Sequence, residues 1–149
     1  PHPPNFTPII AIGLFGGAYL KDLRIAILIP LCGMIISDLI LGFHGIMPWV
    51  YLSLTLITFL GLRLNNRVNF INCLISVLGG SLIFFLLSNF GVWFMGGYEK
   101  TISGLIVCYT MAIPFLHNTL MGSAVYGAFM FGGMEALKHF IQSSAPDSI

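Results

Sequence analysis

Charge is nearly missing from this sequence. Lys, Arg, Asp and Glu make up 7% of its 149 residues, where a soluble domain carries about 25%. That shortage excludes a soluble globular domain. It also excludes a disordered chain, which stays open because polar and charged groups outweigh apolar ones. The net charge is only +1, so the basic stripe that meets phosphates is lacking and nucleic acid is not a partner. Cysteine is scarce: Cys32, Cys73 and Cys108 are odd in number and scattered through apolar stretches. This rules against a disulfide framework or a zinc knuckle and reads as small buried hydrophobes.

Chemistry-bearing patterns are thin as well. His2, His44, His117 and His139 form no pair three or four residues apart, so no single helix presents two imidazoles to a metal. Two of them on different helices could hold a haem, but nothing specifies it, and no cofactor is identified. Acids do not pair at helical spacing. Ser103–Gly104 follows Thr101, where an intramembrane serine-protease motif would carry glycine. Arg-rich gating segments are absent, which excludes a voltage sensor. An enzyme is not expected.

What is present is apolar. Hydrophobic residues reach 57% and the mean hydropathy is +0.96. The charged positions bracket long neutral stretches at 1–20, 39–62, 68–98 and 101–134, and a helix needs roughly 20 apolar residues to cross the hydrocarbon. Runs such as Leu82–Leu87 do not alternate, unlike the strands of a transmembrane barrel. The reading is an all-α, polytopic transmembrane bundle of five to six spans in one domain, 1–149. Its first residue is Pro1, and upstream residues, including a further helix, are expected.

Four prolines in residues 1–8 make that segment a loop, with Asn5 and Thr7 placed to cap the first helix. The apolar segment 9–20 is short, suited to a tilted or re-entrant helix. Gly13 and Gly17 sit four apart on one face, where another backbone can approach. Spans are expected at Ile25–Phe43, kinked at Pro30, at Pro48–Leu62 with Trp49 and Tyr51 as interfacial anchors, and at Phe70–Phe90. Ile102–Leu116 is a further span. His117–Thr119 is a polar break with Thr119 as N-cap, Leu120–Phe140 is the last span, and 141–149 is a flexible tail. In that last span Ala124, Ala128, Gly132 and Ala136 recur every four residues, a helix-packing stripe that faces either the same chain or a partner. On this division Lys21, Arg24, Arg63 and Arg67 fall on one side and Lys100 and Lys138 on the other. Four against two puts the 21–24 and 63–69 loops in the cytoplasm.

Asp38 is the one formal charge well inside an apolar stretch, and such residues face a cavity or a partner. Either it lines an outward cavity and binds a ligand, or it accepts bonds from Ser37, a helix N-terminus or an Asn. Asn5, Thr7, His44, Asn89 and Trp93 fall toward the same outer side. Together with Asp38 they form a candidate ligand pocket, mainly apolar with a few convergent polar groups.

The strings PNFTPIIAIGLFGGAYL, ISDLILGFH, SNFGVW and CYTMAIPFLHNTL resemble a widespread group of small bacterial inner-membrane proteins of unknown function. The resemblance runs from Pro3 to about Leu137. That group is remotely similar to the six-helix S components of energy-coupling-factor vitamin transporters. The likeness implies a Pro-rich lid over a vitamin-like ligand, with Gly13 and Gly17 docked on a scaffold subunit. Glu99 and Ser123 depart from the pattern, which has Pro and an acid there. Two functions are expected: a small-molecule binding and transport component, or, because a small, almost charge-free chain rich in Gly and Phe suits it, a non-catalytic accessory subunit packed among other membrane proteins in the lipid bilayer.

Overall fold

The computed structural model describes residues 3–144. Pro1, His2 and the end of the expected tail, 145–149, lie outside the described residues. Among the described residues five α-helices follow one another: α1 (Ile9–Tyr19), α2 (Leu23–Leu41), α3 (Met47–Leu62), α4 (Phe70–Val92) and α5 (Ile102–Ser144). A π-helical turn, Trp93–Gly97, extends α4 and includes Gly96 with φ +93°, a left-handed conformation that glycine adopts without strain. Three helical segments among the described residues, Leu23–Leu41, Phe70–Gly97 and Ile102–Ser144, are long and apolar enough to cross a bilayer.

The short helix is the centre of the bundle. α1 packs against all four other helices, and most extensively against α3. It is apolar on every side, as a helix enclosed by others must be, and Ile10, Ala11, Gly13, Leu14, Gly16, Gly17 and Ala18 are buried. Gly13 and Gly17 face α3 of the same chain. A Cβ on Gly13 would lie 3.3 Å from the Ile57 and Thr58 side chains, and one on Gly17 would meet the Thr58 carbonyl and the Gly61 backbone. These glycines are therefore not open to a scaffold subunit, contrary to what the resemblance implied. At 1.5 Å per residue α1 is about 16 Å long, roughly half of a hydrocarbon core. It begins where the Phe6–Thr7 backbone rests on Gly122 in the middle of α5, and it ends beside Glu135.

Several local expectations are corrected. Neither Asn5 nor Thr7 caps α1: Pro8 is the N-cap and no side chain bonds there. Asn5 takes a left-handed turn conformation, φ +63°, and the Phe6 N–H closes that turn on the Pro3 carbonyl at 3.1 Å. α5 is one helix of 43 residues, with no break at His117–Thr119 and helical structure in 141–144. Thr119 donates to the Phe115 carbonyl at 2.8 Å rather than capping, a local bond that threonine makes without ending a helix. Pro114 is also accommodated inside the helix. Cys32 is exposed on α2 rather than buried, while all three thiols are free.

The stripe in α5 lies one residue off the buried face. Thr119, Ser123, Gly127 and Phe131 are buried, also four apart, while Ala124, Ala128, Gly132 and Ala136 are exposed. The packing face toward the same chain is thus the adjacent stripe. The outer surface of the bundle is apolar: Ile25, Ile36, Leu39, Ile40, Phe70, Ile102 and Phe129 are among many large exposed hydrophobics. Contiguous apolar surface on this scale needs a non-aqueous surrounding, and helices satisfy their own backbone groups within one.

The close approach of α1 and α3 yields a stability prediction. Gly17→Ala or Gly61→Ala should destabilise the protein by about 1–3 kcal/mol, because each forces a methyl into the facing backbone. Gly132→Ala should not, since nothing lies within 4 Å of its added Cβ. Thermal unfolding in detergent checks both; equal effects at 17 and 132 would contradict the packing.

Candidate functional site

The sequence points to Asp38, and the structure shows what holds it. Asp38 is 3% exposed, near the end of α2. The Tyr51 hydroxyl, from the first turns of α3, donates to its Oδ2 at 2.5 Å. His44 Nε2, from the α2–α3 turn, lies 3.4 Å from its Oδ1. Both oxygens of a carboxylate that would be costly alone in an apolar setting thus have partners. The partners are Tyr51 and His44, not Ser37, a helix N-terminus or an Asn. Through this bond Tyr51 ties α3 to α2.

The remaining candidates are engaged elsewhere. The Asn89 amide donates to the Phe85 carbonyl at 2.8 Å, one turn back in α4. The Asn89 backbone carbonyl accepts from the buried Cys108 thiol at 3.4 Å. Trp93 Nε1 donates to the Glu99 carbonyl at 2.9 Å, closing the α4–α5 connection. Trp49, Phe90, Trp93 and Phe94 pack ring on ring, with centroids 5.0–6.0 Å apart. Gly91 leaves the space that the Trp49 ring fills. Asn5 and Thr7 flank Phe6, whose ring lies 5.9 Å from Tyr126. Of the six expected ligand contacts, Asp38 and His44 are in direct contact with one another. Ser123, where the resemblance expects an acid, is buried with no hydrogen-bond partner for its hydroxyl among the described residues.

A more open polar site lies at the other end of the bundle. A cavity of about 480 Å³ is lined by Ala18, Tyr19, Lys21, Asn65, Asn66, Val68, Glu135 and Lys138. Three elements build it. The end of α1 presents Tyr19 and leads into Lys21. The α3–α4 loop presents Asn65 and Asn66, and is fixed by three local features. Leu64 plugs into the core, Asn66 takes a left-handed φ of +57°, and Asn69 caps α4 by accepting from the Asn72 N–H at 2.9 Å. The last turns of α5 present Glu135 and Lys138.

Glu135 organises the wall. The Tyr19 hydroxyl donates to its Oε1 at 2.8 Å, and Lys138 Nζ donates to the same oxygen at 2.7 Å. Lys138 also lies over the Tyr19 ring, 4.6 Å from its centroid, a cation–π geometry. Phe15, Tyr19 and Phe131 form an aromatic base beneath, with centroids 4.6–5.8 Å apart. Lys21 makes no ion pair among the described residues and is exposed. Both lysines offer ammonium donors, and the asparagines offer amides, which suits a small anionic group.

The site is hidden from a sequence reading that divides α5 at His117–Thr119. With α5 continuous, Lys138 belongs to the same end as Lys21, Arg24, Arg63 and Arg67, and Lys100 stands alone at the other. The basic residues divide five against one rather than four against two. The Glu135–Lys138 spacing at i, i+3 was a visible signal of a paired helical face. Its long-range partner Tyr19 was not.

Tethering of Asp38 predicts a non-additive pair. Tyr51→Phe and Asp38→Asn should each lower the unfolding temperature, and the double variant should cost little more than the worse single one. A thermal double-mutant cycle measures this, and full additivity would show that the contact carries no energy.

Compared with known proteins, the chain matches the family of unknown function DUF6580 over residues 1–145. No curated protein and no solved structure matches.

Proposed function

The chain belongs to that family, and from this premise we propose that it is a non-catalytic, multi-pass membrane component that binds a small anionic molecule, in the manner of a transport protein. The observation that carries the reading is the cavity at Tyr19, Lys21, Asn65, Asn66, Glu135 and Lys138. Its polar groups come from three separate elements and converge on one space, as ligand sites do. They carry two ammonium groups against one carboxylate, and that carboxylate is already occupied by Tyr19 and Lys138. The site differs from the outer pocket that the sequence suggested, because Asp38 and His44 satisfy each other there.

The division of basic residues supports an orientation. With five of six Lys and Arg at the cavity end, the positive-inside tendency favours a cytoplasmic position for the cavity.

A second reading, an accessory subunit of a larger membrane assembly, draws on the exposed row Ala124, Ala128, Gly132 and Ala136. Small residues on a membrane-facing helix let another helix approach. Isolation in mild detergent separates the two readings by whether a stable large complex persists.

For the binding function, the protein isolated from its native membrane should carry a small anionic molecule, detected by native mass spectrometry. The Lys21→Gln/Lys138→Gln double variant should bind it at least about a hundredfold more weakly, since each of the two lost charge-assisted bonds is worth roughly 1.5–3 kcal/mol. Equal retention by the double variant would contradict the site.

A further inference from the structure

The polar cavity does not end at its own wall. An apolar groove of about 550 Å³ lies between the start of α4 and the second half of α5, and it shares Val68 and Glu135 with the cavity. Its sides are Phe70, Cys73, Leu74 and Val77 on α4, and its floor includes Gly127, Ala128 and Gly132 on α5. The floor is open because the exposed stripe carries almost no side chain: a Cβ added at Gly132 would meet nothing within 4 Å.

We propose that cavity and groove together bind one anionic membrane lipid, with its phosphate between Lys21 and Lys138 and one acyl chain along the groove. This deepens, and rests on, the binding function assigned to the cavity. Three features favour a lipid over a partner helix. The site is charged at one end and apolar along the rest, in one continuous space, which is the pattern of an amphiphile. The charges are complementary to a phosphate, and basic pockets between helices on the cytoplasmic side suit acidic headgroups. The groove also has the right reach. From Asn69 to Val77 it follows α4 for about 12 Å, close to the half-thickness of a roughly 30 Å hydrocarbon core. It runs away from the charged end, so a chain entering at Val68 and Glu135 descends one leaflet.

The test uses the full-length protein stripped of lipid in neutral detergent, with binding read by native mass spectrometry. The probes are phosphatidylglycerol, phosphatidylcholine with the same acyl chains, and glycerol 3-phosphate. The wild type should bind phosphatidylglycerol at least about tenfold more tightly than the other two, a gap of about 1.4 kcal/mol. Lys21→Gln/Lys138→Gln should remove the preference between the two lipids. Gly132→Leu, and independently Ala128→Leu, should block the groove and lower phosphatidylglycerol binding about tenfold. Both positions are exposed, so these variants should unfold at the wild-type temperature. Unchanged phosphatidylglycerol binding in folded Gly132→Leu and Ala128→Leu proteins would overturn the proposal. Lysine-dependent binding of glycerol 3-phosphate without lipid preference would overturn it while leaving the binding function standing. Binding of none of the three probes would overturn the lipid proposal and count against the binding function as well.

Discussion

The contact on which the rest depends is the approach of α1 to α3 across glycine. Gly17 sits against Thr58 and Gly61, and Gly61 in turn sits against Leu14. In a lipid surrounding, apolar side chains gain little by leaving the tails for one another, so helices associate through close packing. Two backbones meeting without Cβ atoms between them provide it. That contact draws an 11-residue helix, too short to cross a membrane alone, into the middle of the bundle. The four longer elements then have a common surface. Ala26 of α2 lies against Gly16, Ile10 against Gly80 of α4, and Phe15 against Phe131 of α5.

Once α1 is central, its two ends have different consequences. Its beginning lies at mid-depth on α5, where the Phe6–Thr7 backbone packs on Gly122 and the Phe6 ring on Tyr126. Its other end brings Tyr19 to Glu135, 116 positions away in sequence. That one bond closes a cavity whose other walls are the α3–α4 loop and the end of α5. Charge follows the same division. Asp38, the buried carboxylate, is at the end with one basic residue, and is met by a phenol and an imidazole. The cavity is at the end with five.

Much of this was legible in the sequence, for identifiable reasons. The membrane class came from 7% charge, because lipid penalises charge heavily at every position. The short first helix and its Gly13/Gly17 spacing were visible in local spacing. Two features were not. The break at His117–Thr119 looked polar, yet Thr119 satisfies its hydroxyl on its own helix, so polarity did not mean a turn. The small-residue stripe was legible as a period but not as a face. Thr119, Ser123, Gly127 and Phe131 share the period of Ala124, Ala128 and Gly132, and the choice between them depends on which face α1 and α4 cover. The cavity was illegible because its defining bond, Tyr19 to Glu135, joins the first helix to the last.

The central claim is that an anionic ligand occupies the space between Lys21 and Lys138. An experimental density map of the full-length protein in native-lipid nanodiscs tests it most directly. Headgroup density is expected within bonding distance of both ammonium groups, continuing as a tube past Val68 and along Phe70 to Val77. Lysine side chains turned outward over an unoccupied cavity, or a cavity filled by the protein's own side chains, would contradict it.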